Sequence, residues 1–229
     1  MTSCKKDTIL VAMNPFAAID MAIFRFAENK LLVYIVKLKL EPFSGKLALP
    51  GSLLQSDEDL RTAARRVFFE ATGSQKAFFE QVYTFSAPDR DVRRRSIATA
   101  YMAFPESDVA LFEPCEKYTY GQWRDAFSIH DLAYDHDQIL SVCRERIASK
   151  LNYTSIALLL LPQKFTLTEM QKLYEYCLQR NIDKRNFRKK ILSLNIIKPT
   201  GEKRLGRKAR PAMLYQAVSR SLETIPLFR

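Results

Sequence analysis

The stretch from Leu49 to Gly73, LPGSLLQSDEDLRTAARRVFFEATG, places Glu58, Arg66 and Glu70 along a loop and the helix that follows it. Positions 67, 70 and 71 stand at i, i+3 and i+4 and therefore share one helix face. A full set of carboxylates on such a face would hold Mg²⁺, a hard ion that takes oxygen ligands in octahedral geometry, and would let it bridge a pyrophosphate and activate water. Here the face reads Val67, Glu70 and Ala71, a poor cradle for the ion. No catalytic residue and no metal ligand set is assigned. The helix itself is well specified: Ser56 or Asp57 is expected to cap it, Asp57, Glu58 and Asp59 crowd its positive end, and Ala63 and Ala64 favour it.

This frame resembles the Nudix box. Anchored on Gly73, the box puts its first glycine on Ser52, its loop glutamate on Glu58, its arginine on Arg66 and its three helix glutamates on Val67, Glu70 and Ala71. The resemblance implies a Nudix-like fold that has kept its helix and lost its hydrolytic face. The alternative is an active hydrolase of the ADP-ribose pyrophosphatase type, with Glu58, Glu70 and Glu80 gathering a metal from different elements and the basic second half serving as a targeting module.

The chain of 229 residues suits one large or two small domains. Its longest aliphatic block, Ile156 to Leu161, is far too short to span a bilayer, and MTSCKKDTILVAMNP lacks the pattern of a secretory signal, so a cytoplasmic protein without membrane contact is expected. Cys4, Cys115, Cys143 and Cys177 contain no C-x-x-C pair and have only His130 and His136 to help, which argues against zinc and against a disulfide framework. The net charge of +11 is unevenly placed. Residues 1–162 hold 20 Lys+Arg and 20 Asp+Glu, and residues 163–229 hold the other 16 Lys+Arg against 5 Asp+Glu. A neutral domain joined to a strongly basic one points to a polyanionic partner for the second.

Strands are expected at Phe16 to Phe26 and Leu31 to Leu40, forming a hairpin across Ala27–Lys30, and again at Phe78 to Phe85 and Ser96 to Phe104. The arginine run Arg93–Arg95 falls between the latter two. Residues 105–134 read as irregular, with Trp123 in a late strand of the sheet. A helix starting at Asp135 or Asp137 should run to about Leu151, with His136 in a local hydrogen-bonding role.

The signals sharpen from Phe165. Thr166-Leu167-Thr168-Glu169 is a capping box, and Phe165 with Met170 can staple it. Met170, Leu173, Tyr174 and Cys177 then repeat at helical spacing up to about Gln179. Asp183 should cap a second helix from Lys184 to about Leu194, with Phe187, Ile191 and Leu194 inward and a basic outer face. Two helices and a short turn make a helix-turn-helix whose second helix enters the major groove. Ile196–Lys198 and Ala212–Val218 read as strands flanking a basic turn from Thr200 to Arg210, a wing. Lys184, Arg185, Asn186, Arg188 and Lys189 are the expected readers of duplex DNA, with Lys203, Arg204, Arg207, Lys208 and Arg210 on the backbone. A rival, RNA binding by the same face, lacks an aromatic stacking surface.

A Nudix-like sheet followed by DKRNFRKKIL and a hairpin ending in RPAMLY resembles the Nudix-related transcriptional regulators of the NrtR and AraR type, over nearly the whole chain. DRDVRRRSIATAYMAF and LAYDHDQIL fit the same pattern, whereas Ser52 and Leu38 depart from it. The resemblance implies an α+β protein: a Nudix-like α/β/α sandwich with a mixed sheet in residues 1–155, for effector sensing and dimerisation, then a winged helix-turn-helix in residues 156–229. It implies a bacterial repressor that binds operator DNA as a homodimer, carries no cofactor, and responds to ADP-ribose, an NAD-related nucleotide or a sugar such as arabinose. Lys37, Lys39, Arg66, Glu70, Arg93, Arg94 and Arg95 are the expected effector contacts, and the basic groups among them suit a phosphorylated ligand.

Overall fold

A computed structural model describes residues 14–106, 116–205 and 211–225. Its first part is a seven-stranded mixed sheet built around β1 (Phe16–Ala27). This strand pairs antiparallel with β2 (Lys30–Leu38), antiparallel with the short β4 (Gly51–Leu53), and parallel with β6 (Ser96–Pro105). The two-residue β3 (Leu47–Ala48) and β7 (Tyr118–Asp125, with Trp123 as expected) pair with β2, and β5 (Ala77–Phe85) closes the other edge on β6. The β1–β2 link is tight, with Glu28 and Asn29 both at positive φ.

The two-residue period of a strand sends alternate side chains to opposite faces. In β1, Ile19, Met21 and Ile23 face one layer, and Ala22, Phe24 and Phe26 face the other. The first layer is α1 (Leu60–Thr72), whose Ala63, Ala64, Val67, Phe68 and Ala71 pack on the sheet. The second begins with α2 (His136–Lys150), through Ile139, Leu140, Cys143 and Ile147. The sandwich is therefore α/β/α, with the central strands β1, β2 and β6 buried on both sides. Cys143 and Cys177 are buried, and burial pushes each thiol up to about 12.

The cap of α1 differs from expectation. Asp59, not Ser56 or Asp57, accepts from Thr62 N at 2.7 Å, and Glu58 turns away to Arg66. Gly73 ends the helix at φ 66°, returning its N–H to the Phe69 carbonyl. Asp135 precedes α2 without any side-chain cap bond, because its carboxylate is held by Arg90.

From α3 (Ala157–Leu160) the chain enters the second part: α4 (Leu167–Leu178), α5 (Lys184–Ser193) and the ribbon β8 (Ile197–Arg204) with β9 (Ala212–Ala217). A further bridge between Phe165 and Tyr215 ties the entry of α4 to the ribbon. The capping box forms as written, with Glu169 N donating to Thr166 Oγ1 and Thr166 N donating to Glu169 Oε2. β8 runs on through Arg204, so the basic segment expected to be a turn from Thr200 is strand for its first half, with a bulge at Gly201 (φ 82°). No helix among the described residues is long and apolar enough to cross a membrane.

The two parts share a core. Phe24, Phe26 and Val33 of the sheet and Ile139 and Leu140 of α2 belong to one hydrophobic cluster with Leu159, Phe165, Leu173, Tyr174 and Phe187. At its margin Tyr176 Oη donates to Asp125 Oδ1 at 2.6 Å, and its ring meets Phe127 edge-on.

Candidate functional site: an effector cavity and a basic reading helix

A cavity of about 320 Å³ opens where β1, β4, the 86–95 loop, the start of β7 and the start of α2 converge. Apolar Leu38, Leu49 and Leu53 form part of its wall, and Arg93, Arg94 and Lys117 bring cationic groups to it.

Its floor is fixed by a buried ionic cluster. Arg90 is the centre, with a side chain only 4% exposed. Its guanidinium forms a two-point pair with Asp135 at 2.9 and 2.8 Å, reaches Asp20 Oδ2 at 2.7 Å, and donates to Ser96 Oγ at 3.1 Å. His136 Nδ1 accepts from Leu49 N at 2.9 Å, and its Nε2 faces Asp20 Oδ1 at 3.5 Å. His136 therefore joins α2 to a loop 87 residues away, rather than serving its own turn. Burial acts to raise the Asp20 carboxyl, but His136 and Arg90 outweigh it and hold the group below its ordinary value. Tyr118 Oη completes the frame, donating to Gly51 O at 2.8 Å and accepting from Gly51 N at 3.1 Å.

The wall beside α1 is a second network. Arg66 donates from Nε to Glu58 Oε2 and from Nη1 to Glu70 Oε1, both at 2.9 Å, and also reaches Ser52 Oγ at 3.2 Å and the Leu53 carbonyl at 3.1 Å. The hydrogen bond from Arg66 holds the Glu58 carboxyl low, against burial. Glu70 is raised by burial but held lower still by its bonds from Arg66 and Lys117.

The expected effector residues divide. Arg93 and Arg94 line the cavity, Arg93 paired with Asp91 at 2.9 Å and lying over the Tyr134 ring, Arg94 over Phe16. Arg66 and Glu70 stand behind Ser52 and shape the wall. Arg95 is turned to the Ser86, Ala87 and Ser96 carbonyls. Lys37 and Lys39 are not among the lining residues. Lys37 lies over the Tyr120 ring, while Leu38 between them faces the cavity, as strand alternation requires. Arg90, Asp20, His136, Lys117 and Tyr118 were missed in the sequence. The density of charge in DRDVRRR and LAYDHD was the available signal, but it could not show which charges meet.

The divalent metal of a Nudix box does not fit this helix. Val67 and Ala71 are each 1% exposed, packed into the core, and both oxygens of Glu70 are engaged.

On the second part, Asp183 Oδ1 caps α5 by accepting from Asn186 N at 2.8 Å. Phe187 and Ile191 are buried, which turns Lys184, Arg185, Asn186 and Lys189 to solvent. Arg188 is less exposed and donates to Thr168 Oγ1 of α4 at 3.1 Å. Arg204 bonds Glu169 and the Lys164 carbonyl, tying the ribbon to α4, and Lys203 is exposed beside it. Arg207, Lys208 and Arg210 lie outside the described residues.

A Nudix-like sheet holding a cation-walled cavity, joined through a common core to a winged helix-turn-helix, defines a ligand-responsive transcriptional regulator. Residues 157–217 match the NrtR DNA-binding winged helix domain. The chain is 31% identical over 208 residues, 89% of its length and 82% of the relative's, to the "ADPR responsive transcriptional repressor NtrR" of Acinetobacter baylyi. It resembles the crystal structure of Shewanella oneidensis NrtR complexed with a 27mer DNA at TM-score 0.75 and 28% identity, covering 88% of this chain and 93% of that one. It also resembles the NUDIX domain of the Shewanella oneidensis protein complexed with ADP ribose, at TM-score 0.54 and 25% identity over 58% of this chain and 89% of that one. The chain belongs to the NrtR family of Nudix-related transcriptional regulators.

Proposed function

We propose that this protein is a cytoplasmic repressor that binds operator DNA as a homodimer through α5 and the wing, and that it senses ADP-ribose in the cavity of its Nudix-like part without hydrolysing it. The observation that carries this reading is the pairing, in one chain, of a cavity walled by Arg93, Arg94 and Lys117 with a helix that turns Lys184, Arg185, Asn186 and Lys189 outward. The division of labour falls near residue 155, with sensing and dimerisation before it and DNA binding after it. Cationic walls suit the diphosphate of ADP-ribose, which the names of the relatives also indicate. A neutral sugar such as arabinose would bring no anion to this cationic wall, so the nucleotide is the better effector. An effector releases DNA only by favouring a dimer arrangement in which the two reading helices no longer meet successive major grooves.

Fluorescence anisotropy of the full chain on duplex from its own promoter, against scrambled duplex, tests this directly. Selective binding that ADP-ribose weakens, and that arabinose leaves alone, is the expected result. Equal binding to both duplexes would overturn the regulator reading, and release by arabinose would overturn the effector. Incubation with ADP-ribose and Mg²⁺ should yield no AMP. Arg185→Ala should weaken operator binding by about 1–3 kcal/mol and relax sequence preference, as loss of a base-edge contact does. Unchanged affinity and preference would mean that another residue reads the sequence.

A further inference from the structure

Lys117 stands where the surviving glutamate of the box would otherwise face a metal. Its Nζ is 3.0 Å from Ser52 Oγ and 3.0 Å from Glu70 Oε2, and it lines the cavity. Glu70 gives its other oxygen to Arg66, so the one acid left on the metal face of α1 is enclosed between two side-chain cations. An ammonium carries three N–H donors. Two of them go to Ser52 and Glu70, and the side chain is 40% exposed, so the third is left to serve a ligand in the cavity.

We propose that Lys117 takes the place of the metal: a resident cation, fixed by Ser52 and Glu70, that meets the effector's phosphates so that the ligand is held with no divalent ion. The inference rests on the reading of the cavity as the effector site. A lysine supplies charge and a hydrogen bond to phosphate oxygen. It cannot bind and acidify water as a metal does, so the same replacement keeps recognition and removes cleavage. The other acidic corner of the cavity follows the same plan. Asp20, Asp135 and His136 present ligand atoms within 4.8 Å of one another, but the Arg90 guanidinium already bonds both carboxylates. Among the described residues, both acidic corners of this cavity thus contain their own side-chain cation.

Isothermal titration of ADP-ribose into the full chain, in EDTA and in Mg²⁺, provides the test, with Mn²⁺ alone titrated in parallel. Wild type should bind equally, within about twofold, with and without Mg²⁺. Lys117→Met should weaken binding about tenfold or more in both buffers, the loss of one charge-assisted contact. Lys117→Arg should retain most of the affinity, and thermal melts establish that each variant is folded. Dependence of wild-type binding on Mg²⁺, or unchanged affinity in Lys117→Met, would overturn the proposal. If wild type binds no ADP-ribose in either buffer, the effector reading fails, and the Mn²⁺ arm still decides the replacement. Absence of Mn²⁺ uptake supports it, and uptake that Glu70→Gln abolishes overturns it.

Discussion

Arg90 shows how a single side chain can hold a cavity in shape. Its guanidinium joins β1 through Asp20, β6 through Ser96 and the start of α2 through Asp135, and it lies on the same loop as Arg93 and Arg94. Removing one partner of a buried ion pair strands the other charge, which costs about 3–5 kcal/mol. Arg90→Met should therefore lower the urea-unfolding free energy by that order at neutral pH. The pH dependence has a definite sign. Asp20 has a folded value below its ordinary value of 3.8, so its contribution is present above that pH and is lost as pH falls through the folded value. Wild type should lose stability on acidification below about pH 4, and the gap between wild type and Arg90→Met should narrow over the same range. A gap that stays constant from pH 7 to pH 3 would show that the Asp20 pair contributes little. The arginine run was visible in the sequence, but its roles were not. Arg93–Arg95 lie next to one another and look equivalent, whereas the loop directs Arg93 and Arg94 to the cavity and Arg95 to backbone carbonyls, and the decisive residue, Arg90, stands outside the run.

At the scale of elements, local chemistry was easiest to read where it is self-contained. The Thr166–Glu169 box, the Asp183 cap and the buried Phe187 and Ile191 were all legible, because each depends on residues a turn apart. The cap of α1 was not, since Ser56, Asp57 and Asp59 are all competent acceptors and the choice falls to the fold, which draws Glu58 toward Arg66 and leaves Asp59 at the helix start. Strand register on β2 was likewise hidden: Lys37 and Lys39 alternate with Leu38, and only the tertiary structure decides which set faces the cavity. Two substitutions test element specification. Thr166→Ala removes the acceptor for Glu169 N and should cost about 1 kcal/mol, read as a lower melting temperature. Gly73→Ala places a side chain at φ 66°, where nothing lies within 4 Å of the new Cβ, so its cost of about 1 kcal/mol comes from backbone conformation alone. A larger loss at Gly73 would point to a tertiary contact in place of the conformational cost.

For the whole molecule, sequence composition suggested two units, a neutral one and a basic one, and the charge asymmetry is real. It is a surface property, however, and does not report how the interior is divided. One hydrophobic cluster runs from Phe24 and Val33 of the sheet through Leu159 to Tyr174 and Phe187 of the helix-turn-helix, and Tyr176 is bonded to Asp125 across the boundary. Severing the chain at residue 156 would expose the faces of α3 and α4 that now meet the sheet and α2, and a piece of this size has little core to lose. Circular dichroism of residues 156–229 alone should show a broad, low-temperature transition, whereas the full chain should unfold in one sharp step. Fragment binding to the promoter duplex should be weak and should depend steeply on salt, because the lysines and arginines keep their attraction for phosphate while α5, the proposed reader of bases, loses its fixed angle. A fragment that melts sharply and binds the operator as selectively as the full chain would mean that the shared core is dispensable for reading DNA. In that case changes at the cavity would have to reach α5 through the dimer contact. If the fragment fails as expected, the continuous core is itself a rigid path from the cavity to the reading helix: α2 begins at the Arg90 cluster and packs in the same interior as α4.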